Sequence, residues 1–374
     1  MQIPLFRPMI DETERKFVNA TLDGDHSYNA SAFEKIAQEY FGAKHAIATI
    51  SGTAAKHLAL CALDIKRGDK IICPVISFVS VAEVIRYFDA EPVFVDVNQD
   101  DFTINLDALQ HAISKHKSKK LKAIFVTHLA GQSAQMDEIR AIAKLHNIKI
   151  IDDSPVGTRY KKKLIGSKDS FISCFGAQHQ TRSYLSSAGL MLTNDDKIAQ
   201  NARLIRSHSI RQSSFDKEGN LGYFYDVDSI GQRYDLSALC AAFSIAQFQK
   251  LDYRIKKHKQ IASIYDDQLS NTEHISIPVA KRDHIYTQYI IKIDKNRDGF
   301  AKELVANGIN VGLHYIPLYL LGYYKQKYGY KIGDFPNALK VYQQVLSLPI
   351  YGDLSDDEIA YVCKSVKLVA STRV

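Results

Sequence analysis

The feature that most constrains this chain is an alternation of short apolar runs with amphipathic stretches, which extends from Ser31 to Asp153. Runs such as KIICPV and EPVFVDV are apolar through most of their length, as is typical of strands that are buried on both faces. The stretches between them repeat apolar residues at helical spacing. This alternation predicts βαβ units and a mostly parallel sheet that is covered by helices.

The pattern changes after the strand-like run GLMLTND, and the change suggests a second domain. Residues 200–245 are rich in loops, and the stretch from Leu251 to Leu269 has the spacing of a long amphipathic helix. The last hundred residues resemble a smaller α+β unit. We therefore predict a large α/β domain over residues 1–245 and a small C-terminal α+β domain over residues 246–374.

One helix start carries a specific local signal. In the stretch SAFEKIAQEYF, Ser31 is followed three residues later by Glu34, which is the pattern of a capping box. We expect Ser31 to cap this helix and Glu34 to bond back to it.

The charge balance is only mildly basic, with 48 Lys and Arg against 41 Asp and Glu, a net +7. Basic residues concentrate in KHKSKK and YKKKL, which are interpreted as a solvated helix end and a hairpin tip. The balance favours a small anionic ligand over nucleic acid, and we expect no nucleic-acid partner.

The cysteines and histidines give no metal-binding pattern. Five Cys lie far apart in the sequence, and the 13 His form no HxxxH or HExxH pair. No apolar run is long enough to span a bilayer, and the N-terminus lacks a signal segment. We expect no metal and no membrane association, and a cytoplasmic location.

The residues that follow the predicted strands are the candidates for a binding site, because ligands of open α/β sheets bind at the carboxyl ends of the strands. Ser51, Gly52 and Thr53 stand between a strand and a helix, where amides, a hydroxyl and the helix dipole form an anion site. An ordinary helix cap is the alternative.

Three other strand ends carry polar or aromatic residues. Phe78 could stack on a flat ring or belong to the core, and Gln132 follows the run that ends at His128. Asp152 and Asp153 end another strand, where a carboxylate could hold a proton on a heterocyclic nitrogen or cap a helix.

These stretches, in this order and spacing, resemble the DegT/DnrJ/EryC1/StrS family, the sugar aminotransferases of pyridoxal-phosphate fold type I. The resemblance runs nearly end to end, and it also covers DAEPVFVDVNQDDFTINLDAL and SLPIYGDLSDDEIAYV. It implies a large domain with a mostly parallel, seven-stranded-type sheet and a small C-terminal domain. It also implies an active site that is built across the interface of a homodimer.

The resemblance assigns roles to individual residues. Gly52 and Thr53 would bind the cofactor phosphate, Phe78 would stack on the pyridine ring and Asp153 would pair with the ring nitrogen. Gln132 is also expected in the cofactor site. Arg233 stands in the stretch GQRYDLS, which matches the segment that reaches the partner subunit's cofactor.

The family's Schiff-base lysine is missing from the loop FGAQHQTRSYLSSAG. Three registers of this loop place His179, Thr181 or Arg182 at the lysine position, and these are the candidate catalytic residues. Arginine stays protonated and forms no imine, whereas histidine could move protons without anchoring the cofactor. The lysines from Lys161 to Lys168, in the preceding hairpin region, are not expected to reach the site.

Other departures from the family pattern fall in the same place. Val156 replaces a polar residue near the ring, and a phosphate-binding serine falls at Gly176 or Ala177. Their clustering suggests that the site has changed its task.

Three functions remain open from the sequence. The chain could bind pyridoxal or pyridoxamine phosphate non-covalently and act on a nucleotide-activated keto sugar, with His179 as the proton-transfer base, as in a sugar 3-dehydratase branch of the family. It could be an ordinary sugar transaminase with an unrecognised catalytic group. It could instead be a non-catalytic relative that binds a sugar nucleotide or pairs with an active paralogue.

Overall fold

The structure is a computed structural model that describes residues 1–176, 187–212 and 225–372. In this part of the chain the helices are α1 (Glu12–Leu22), α2 (Ala30–Phe41), α3 (Gly52–Ala62), α4 (Ser80–Arg86), α5 (Leu106–His116), α6 (Met136–Leu145), α7 (Asp196–Arg206), α8 (Ala238–Gln249), α9 (Leu251–Leu269), α10 (Arg297–Ala306), α11 (Gly322–Tyr328), α12 (Pro336–Gln344) and α13 (Asp356–Ser371). The strands are β1 (His45–Thr49), β2 (Lys70–Pro74), β3 (Glu91–Val95), β4 (Leu121–Thr127), β5 (Lys149–Asp153), β6 (Arg159–Tyr160), β7 (Lys163–Leu164), β8 (Ile172–Gly176), β9 (Gly189–Thr193), β10 (Ile210–Gln212), β11 (Tyr225–Val227), β12 (Ile275–Ser276), β13 (Tyr289–Ile293) and β14 (Val345–Leu348).

The large sheet has seven strands in the order β1-β9-β8-β5-β4-β2-β3. Neighbouring strands from β8 to β3 are parallel, and only β9 runs antiparallel to its two neighbours. The predicted fold class, α/β with a mostly parallel seven-stranded sheet covered by helices, is confirmed. Thr127, Asp153 and Cys174 lie side by side in register, so the ends of β4, β5 and β8 meet at one edge.

A second core surrounds the three-stranded sheet β12-β13-β14 in the C-terminal part of the chain. Residues of α9, α10 and α13 pack on it, which confirms the small α+β unit of the predicted fold. The amide of Ile3 donates to the carbonyl of Gly308 at 2.8 Å, and its side chain is buried in this second core. The first residues therefore pack with the C-terminal unit, and the boundary after residue 245 stays a prediction.

The predicted capping box at the start of α2 is wrong. The helix begins one residue before Ser31, and Asn29 caps it with a side-chain oxygen that accepts the amide of Ala32 at 2.9 Å. Glu34 points to the sheet, where it accepts the amide of Ala48 at 2.9 Å and pairs with two guanidinium groups of α7 at 2.6 Å. These charged donors bind the Glu34 carboxylate better than a helix-end amide would.

Within the described ranges, no helix is both long and apolar enough to cross a membrane. No group of three or more His, Cys, Asp or Glu side chains in the same ranges could hold a metal ion.

Candidate functional site

A cradle of two main-chain amides, those of Gly52 and Thr53, lies at the start of α3. Ser51 caps the helix, and its hydroxyl accepts the amide of Ala54 at 3.1 Å. No described residue accepts a hydrogen bond from the amides of Gly52 or Thr53. Both amides stand at the positive end of the helix dipole, where an anion is favoured. The cap that the sequence offered is present, and the anion site stays a prediction.

Two glycines allow α3 to begin directly against the sheet. A Cβ on Gly52 would lie 2.9 Å from the amide nitrogen of Gly176, at the end of β8. A Cβ on Gly189 would lie 2.2 Å from the carbonyl oxygen of Ser51. Both distances are too short for real Cβ contacts, so the cradle depends on these backbone approaches.

A buried ion pair lies one helical turn after the cradle. The Lys56 ammonium donates to Oδ1 of Asp153 at 3.0 Å, and the exposed fractions of the two side chains are 8% and 17%. Asp153 ends β5, and Lys56 lies among apolar residues of α3 that are also buried. The carboxylate that the sequence assigned to a ring nitrogen thus already holds a cation from its own chain.

Asp152, the neighbour of Asp153, belongs to a different and closed cluster. His128 Nδ1 accepts the amide of Ala134 at 3.1 Å, so its Nε2 carries the proton and donates to Asp152 at 3.2 Å. The Ser173 hydroxyl donates to the other Asp152 oxygen at 2.8 Å. The Asp152 carboxylate is therefore hydrogen-bonded by neutral donors within the sheet, and His128 stabilises the end of the strand.

An aromatic pair lies near Asp153. Phe78 follows β2 with 53% of its surface exposed, and its ring centroid lies 5.9 Å from that of Tyr315. Burial raises the pKa of Tyr315 to about 12, and the negative charge of Asp153 acts in the same direction. The ring of Phe78 thus contacts Tyr315, and Phe78 follows β2 at the same sheet edge at which β5 ends with Asp153.

Cys174 is the thiol closest in register to this site, because it pairs with Asp153 across β5 and β8. Its side chain is buried, and burial raises the pKa of the thiol above its usual value. A buried thiol that stays protonated is a poor nucleophile.

Two predicted cofactor residues show no contact with Asp153 in the described ranges. The Gln132 side-chain oxygen accepts the amide of Lys281 at 2.8 Å, and this side chain is buried. Arg233 is exposed and forms an isolated β-bridge with Ser207. No contact in the described ranges brings either residue to Asp153, and their cofactor roles stay predictions.

The three candidate catalytic residues, His179, Thr181 and Arg182, lie outside the described residues, as does Ala177. Their roles stay predictions. Val156 is described and is buried in an apolar cluster with Phe175. An apolar residue at this position extends the core toward the strand end.

Lys56 is the residue of this site that the sequence reasoning missed. The lysines considered were those near the lysine-free loop, whereas Lys56 lies far from that loop in sequence. The available signal was a single charged residue in the apolar helical run TAAKHLALCAL, directly after Ser-Gly-Thr. A lysine in a buried helix requires a partner, and the paired carboxylates at the end of β5 were the candidates.

The described residues of the site suit a phosphorylated pyridine cofactor. The amides of Gly52 and Thr53, which have no acceptor among the described residues, suit a phosphate, and the exposed Phe78 ring suits a flat heterocycle. Asp153 can still accept at its second oxygen, because a carboxylate has about four lone-pair positions. The residues therefore fit the cofactor, with one qualification of charge: Lys56 already neutralises Asp153.

Comparison with known proteins agrees with this geometry. The model of the DegT/DnrJ/EryC1/StrS aminotransferase family matches residues 8–367. The uncharacterized protein MJ1066 of Methanocaldococcus jannaschii is 34% identical over 99% of this chain and 98% of its own length. The spore coat polysaccharide biosynthesis protein SpsC of Bacillus subtilis is 32% identical over 98% of this chain and 96% of its own.

A solved structure supports the fold independently. Spr1654 from Streptococcus pneumoniae, described as a sugar aminotransferase and solved in its pyridoxamine-phosphate form, superposes with a TM-score of 0.89. The match covers 99% of both chains at 23% identity, so it bears on the fold alone.

Proposed function

Because this chain belongs to the DegT/DnrJ/EryC1/StrS aminotransferase family, we propose that it binds pyridoxal or pyridoxamine 5'-phosphate without a covalent bond. With this cofactor it acts on a nucleotide-activated keto sugar in surface polysaccharide or deoxyamino-sugar biosynthesis. The observation that carries the proposal is the convergence of a free amide cradle, an exposed aromatic ring and a carboxylate at one strand edge.

Each part of the site has a defined task in this proposal. The amides of Gly52 and Thr53 hold the phosphate together with the Thr53 hydroxyl, and Phe78 covers one face of the ring. Asp153, paired with Lys56, lies next to the ring nitrogen. When bound, the cofactor supplies an electron sink for reactions at a carbon next to a carbonyl. His179 is the proposed proton-transfer base.

The positions of the lysines support a cofactor that is bound without a covalent link. The loop from Phe175 to Gly189 contains none. Lys56 donates to Asp153, and an ammonium held in an ion pair is not a nucleophile. A cofactor in this site is therefore held by its phosphate and its ring.

The test is a titration of the purified protein with each cofactor form, followed by visible absorption and by mass spectrometry after borohydride. We expect saturable binding, no borohydride-stable adduct, and weaker binding in Thr53→Val. Asp107→Asn, an exposed carboxylate on α5, serves as the control. A stable adduct would instead favour ordinary transamination, and failure of both cofactor forms to bind would refute the proposal.

A second function, non-catalytic binding of a sugar nucleotide, is favoured by one observation. The Lys56 ammonium on Asp153 weakens the hold of that carboxylate on a ring cation. This reading predicts that a keto-sugar nucleotide binds without any change in its mass, whereas dehydration and amination each shift the mass of the product.

A homodimer is the proposed assembly. Exposed apolar side chains flank the stretch GQRYDLS, which the resemblance places at the partner's site, namely Tyr225, Val227, Ile230 and Leu239. Ile230 is 91% exposed. We expect a dimer in analytical ultracentrifugation that Ile230→Asp dissociates, whereas Leu145→Asp, at an exposed position on α6, leaves it intact. A monomeric wild type would refute this assembly.

A further inference from the structure

The buried pair of Lys56 and Asp153 carries an inference beyond the binding of a cofactor. Lys56 lies in α3 with Ala55, Leu58 and Ala59, which are fully buried. A lysine in such surroundings needs a counter-charge, because removing an ammonium from water is costly. Asp153 supplies the counter-charge at 3.0 Å.

The position of the pair relates it to the ligand. Lys56 follows Thr53 by one helical turn, so its side chain leaves the helix directly behind the anion cradle. Asp153 ends β5 at the sheet edge where Phe78 follows β2. A phosphorylated ring that is held by the cradle would therefore meet Lys56 and Asp153 together.

The charge of this pair differs from that of a lone carboxylate. A lone Asp153 would attract a protonated ring nitrogen, whereas the pair is close to neutral. A ring cation that approached Asp153 would also lie a few ångströms from the Lys56 ammonium, and two like charges at such a distance repel strongly in a partly buried site.

We propose that Lys56 is a specificity-determining residue: its ammonium is a built-in counter-ion of Asp153, and the site therefore favours phosphorylated ligands whose ring carries no positive charge. The proposal rests on the proposed function only for the place of the phosphate. It holds equally for a chain that catalyses and for one that only binds.

Two other roles for Lys56 make different predictions. A lysine that contacts the ligand directly would lose affinity for every phosphorylated ligand when it is replaced. A lysine that only stabilises the fold would change the unfolding midpoint without changing the ratio of two ligand affinities.

The experiment compares two probes by isothermal titration calorimetry. Pyridoxamine 5'-phosphate has a basic ring nitrogen, and benzyl phosphate has a benzene ring in its place. The proteins are the wild type, Lys56→Met and Lys250→Met. Lys250 is the matched control, because it is a largely buried lysine that pairs with Asp11 and Glu14 away from this site.

We expect Lys56→Met to raise the affinity for pyridoxamine 5'-phosphate relative to benzyl phosphate by at least about tenfold. Lys250→Met leaves the ratio of the two affinities at the wild-type value. Lys56→Gln serves as a second variant if Lys56→Met does not fold. If neither folds, the wild type decides: tighter binding of benzyl phosphate supports the proposal, and tighter binding of pyridoxamine 5'-phosphate overturns it.

The outcomes separate this proposal from the proposed function. If the wild type binds only benzyl phosphate and Lys56→Met also binds pyridoxamine 5'-phosphate, the result supports the counter-ion role of Lys56. The same result refutes the use of the cofactor by the wild type. An unchanged ratio in Lys56→Met overturns the counter-ion and leaves the proposed function standing. Weaker binding of both probes in Lys56→Met also overturns it, as does a protein in which no variant binds either probe.

Discussion

Asp152 and Asp153 are neighbours in one strand, and yet their surroundings have little in common. Successive residues of a strand point to opposite faces of a sheet, so the two carboxylates enter different environments. The Asp152 side chain is 1% exposed and accepts hydrogen bonds from two neutral donors, His128 and Ser173. Asp153 lies at a half-open edge and holds the Lys56 ammonium.

The difference gives the two carboxylates separate roles: Asp152 stabilises the strand ends, and Asp153 influences which ligand the site prefers. The closed cluster fixes the ends of β4, β5 and β8 relative to one another and leaves no room for a ligand. The pair of Lys56 and Asp153 lies at the partly exposed edge of the sheet, and its charge decides which ligands can approach that edge. One strand therefore provides both the rigidity of the site and its chemical preference.

The largest expected effect comes from replacing each carboxylate in turn. Asp152→Ala leaves two buried donors without an acceptor and is expected to lower the free energy of unfolding by about 3–5 kcal/mol. Asp153→Ala leaves the Lys56 ammonium without its counter-charge but is expected to cost less, about 2–3 kcal/mol, because water can enter at the edge where the Asp153 side chain is 17% exposed. Urea unfolding of both variants measures the difference, and equal losses would remove the distinction between a closed and an open face.

The contrast between enclosed and open groups also predicts how the stability of the fold depends on pH. Burial lowers the pKa of His258 to about 3, with the charge of Arg254 contributing, and burial also lowers that of His284 to about 3. Since each folded-state pKa is below the ordinary value of 6.5, their stabilisation is complete above that pH. It is lost as the pH falls, by about 2 kcal/mol per histidine between about pH 6.5 and pH 5.

Chemical unfolding as a function of pH tests this expectation. His258→Leu should flatten the acid slope by about half, whereas His111→Leu, at an exposed position on α5, should leave it unchanged. A wild type whose stability does not change between these pH values would show that neither enclosed histidine is kept neutral by the fold.

The smallest expected effect concerns the cap of α3 on the open face. Ser51→Ala removes the hydroxyl that accepts the Ala54 amide and is expected to cost about 1 kcal/mol. The ratio of affinities for the two phosphorylated probes should stay at the wild-type value, because the Lys56–Asp153 pair is untouched. A changed ratio would mean that the cap and the pair are coupled.

The sequence predicted the fold well because the fold follows from repeated, local patterns. The alternation of apolar runs and helical spacings between Ser31 and Asp153 located the strands β1–β5. The capping box at Ser31 was wrong because Glu34 bonds to α7, which is distant in sequence and close only after folding.

The candidate site was predicted in part for the same reason. Gly52, Thr53 and Phe78 follow strands directly, so their position at the edge could be read from local order. The partner of Asp153 could not, because Lys56 and Asp153 are 97 residues apart in the chain. Long-range charge pairing depends on the sheet order, which no local pattern specifies.

The cradle at the start of α3 is made of main-chain amides and two backbone contacts at Gly52 and Gly189. Substitutions of side chains elsewhere in the site can change the reaction, the cofactor or the presence of any reaction, and they leave these amides in place. Proteins descended from such a chain can therefore keep a helix start that suits a phosphate after the side chains around it, and the reaction, have changed.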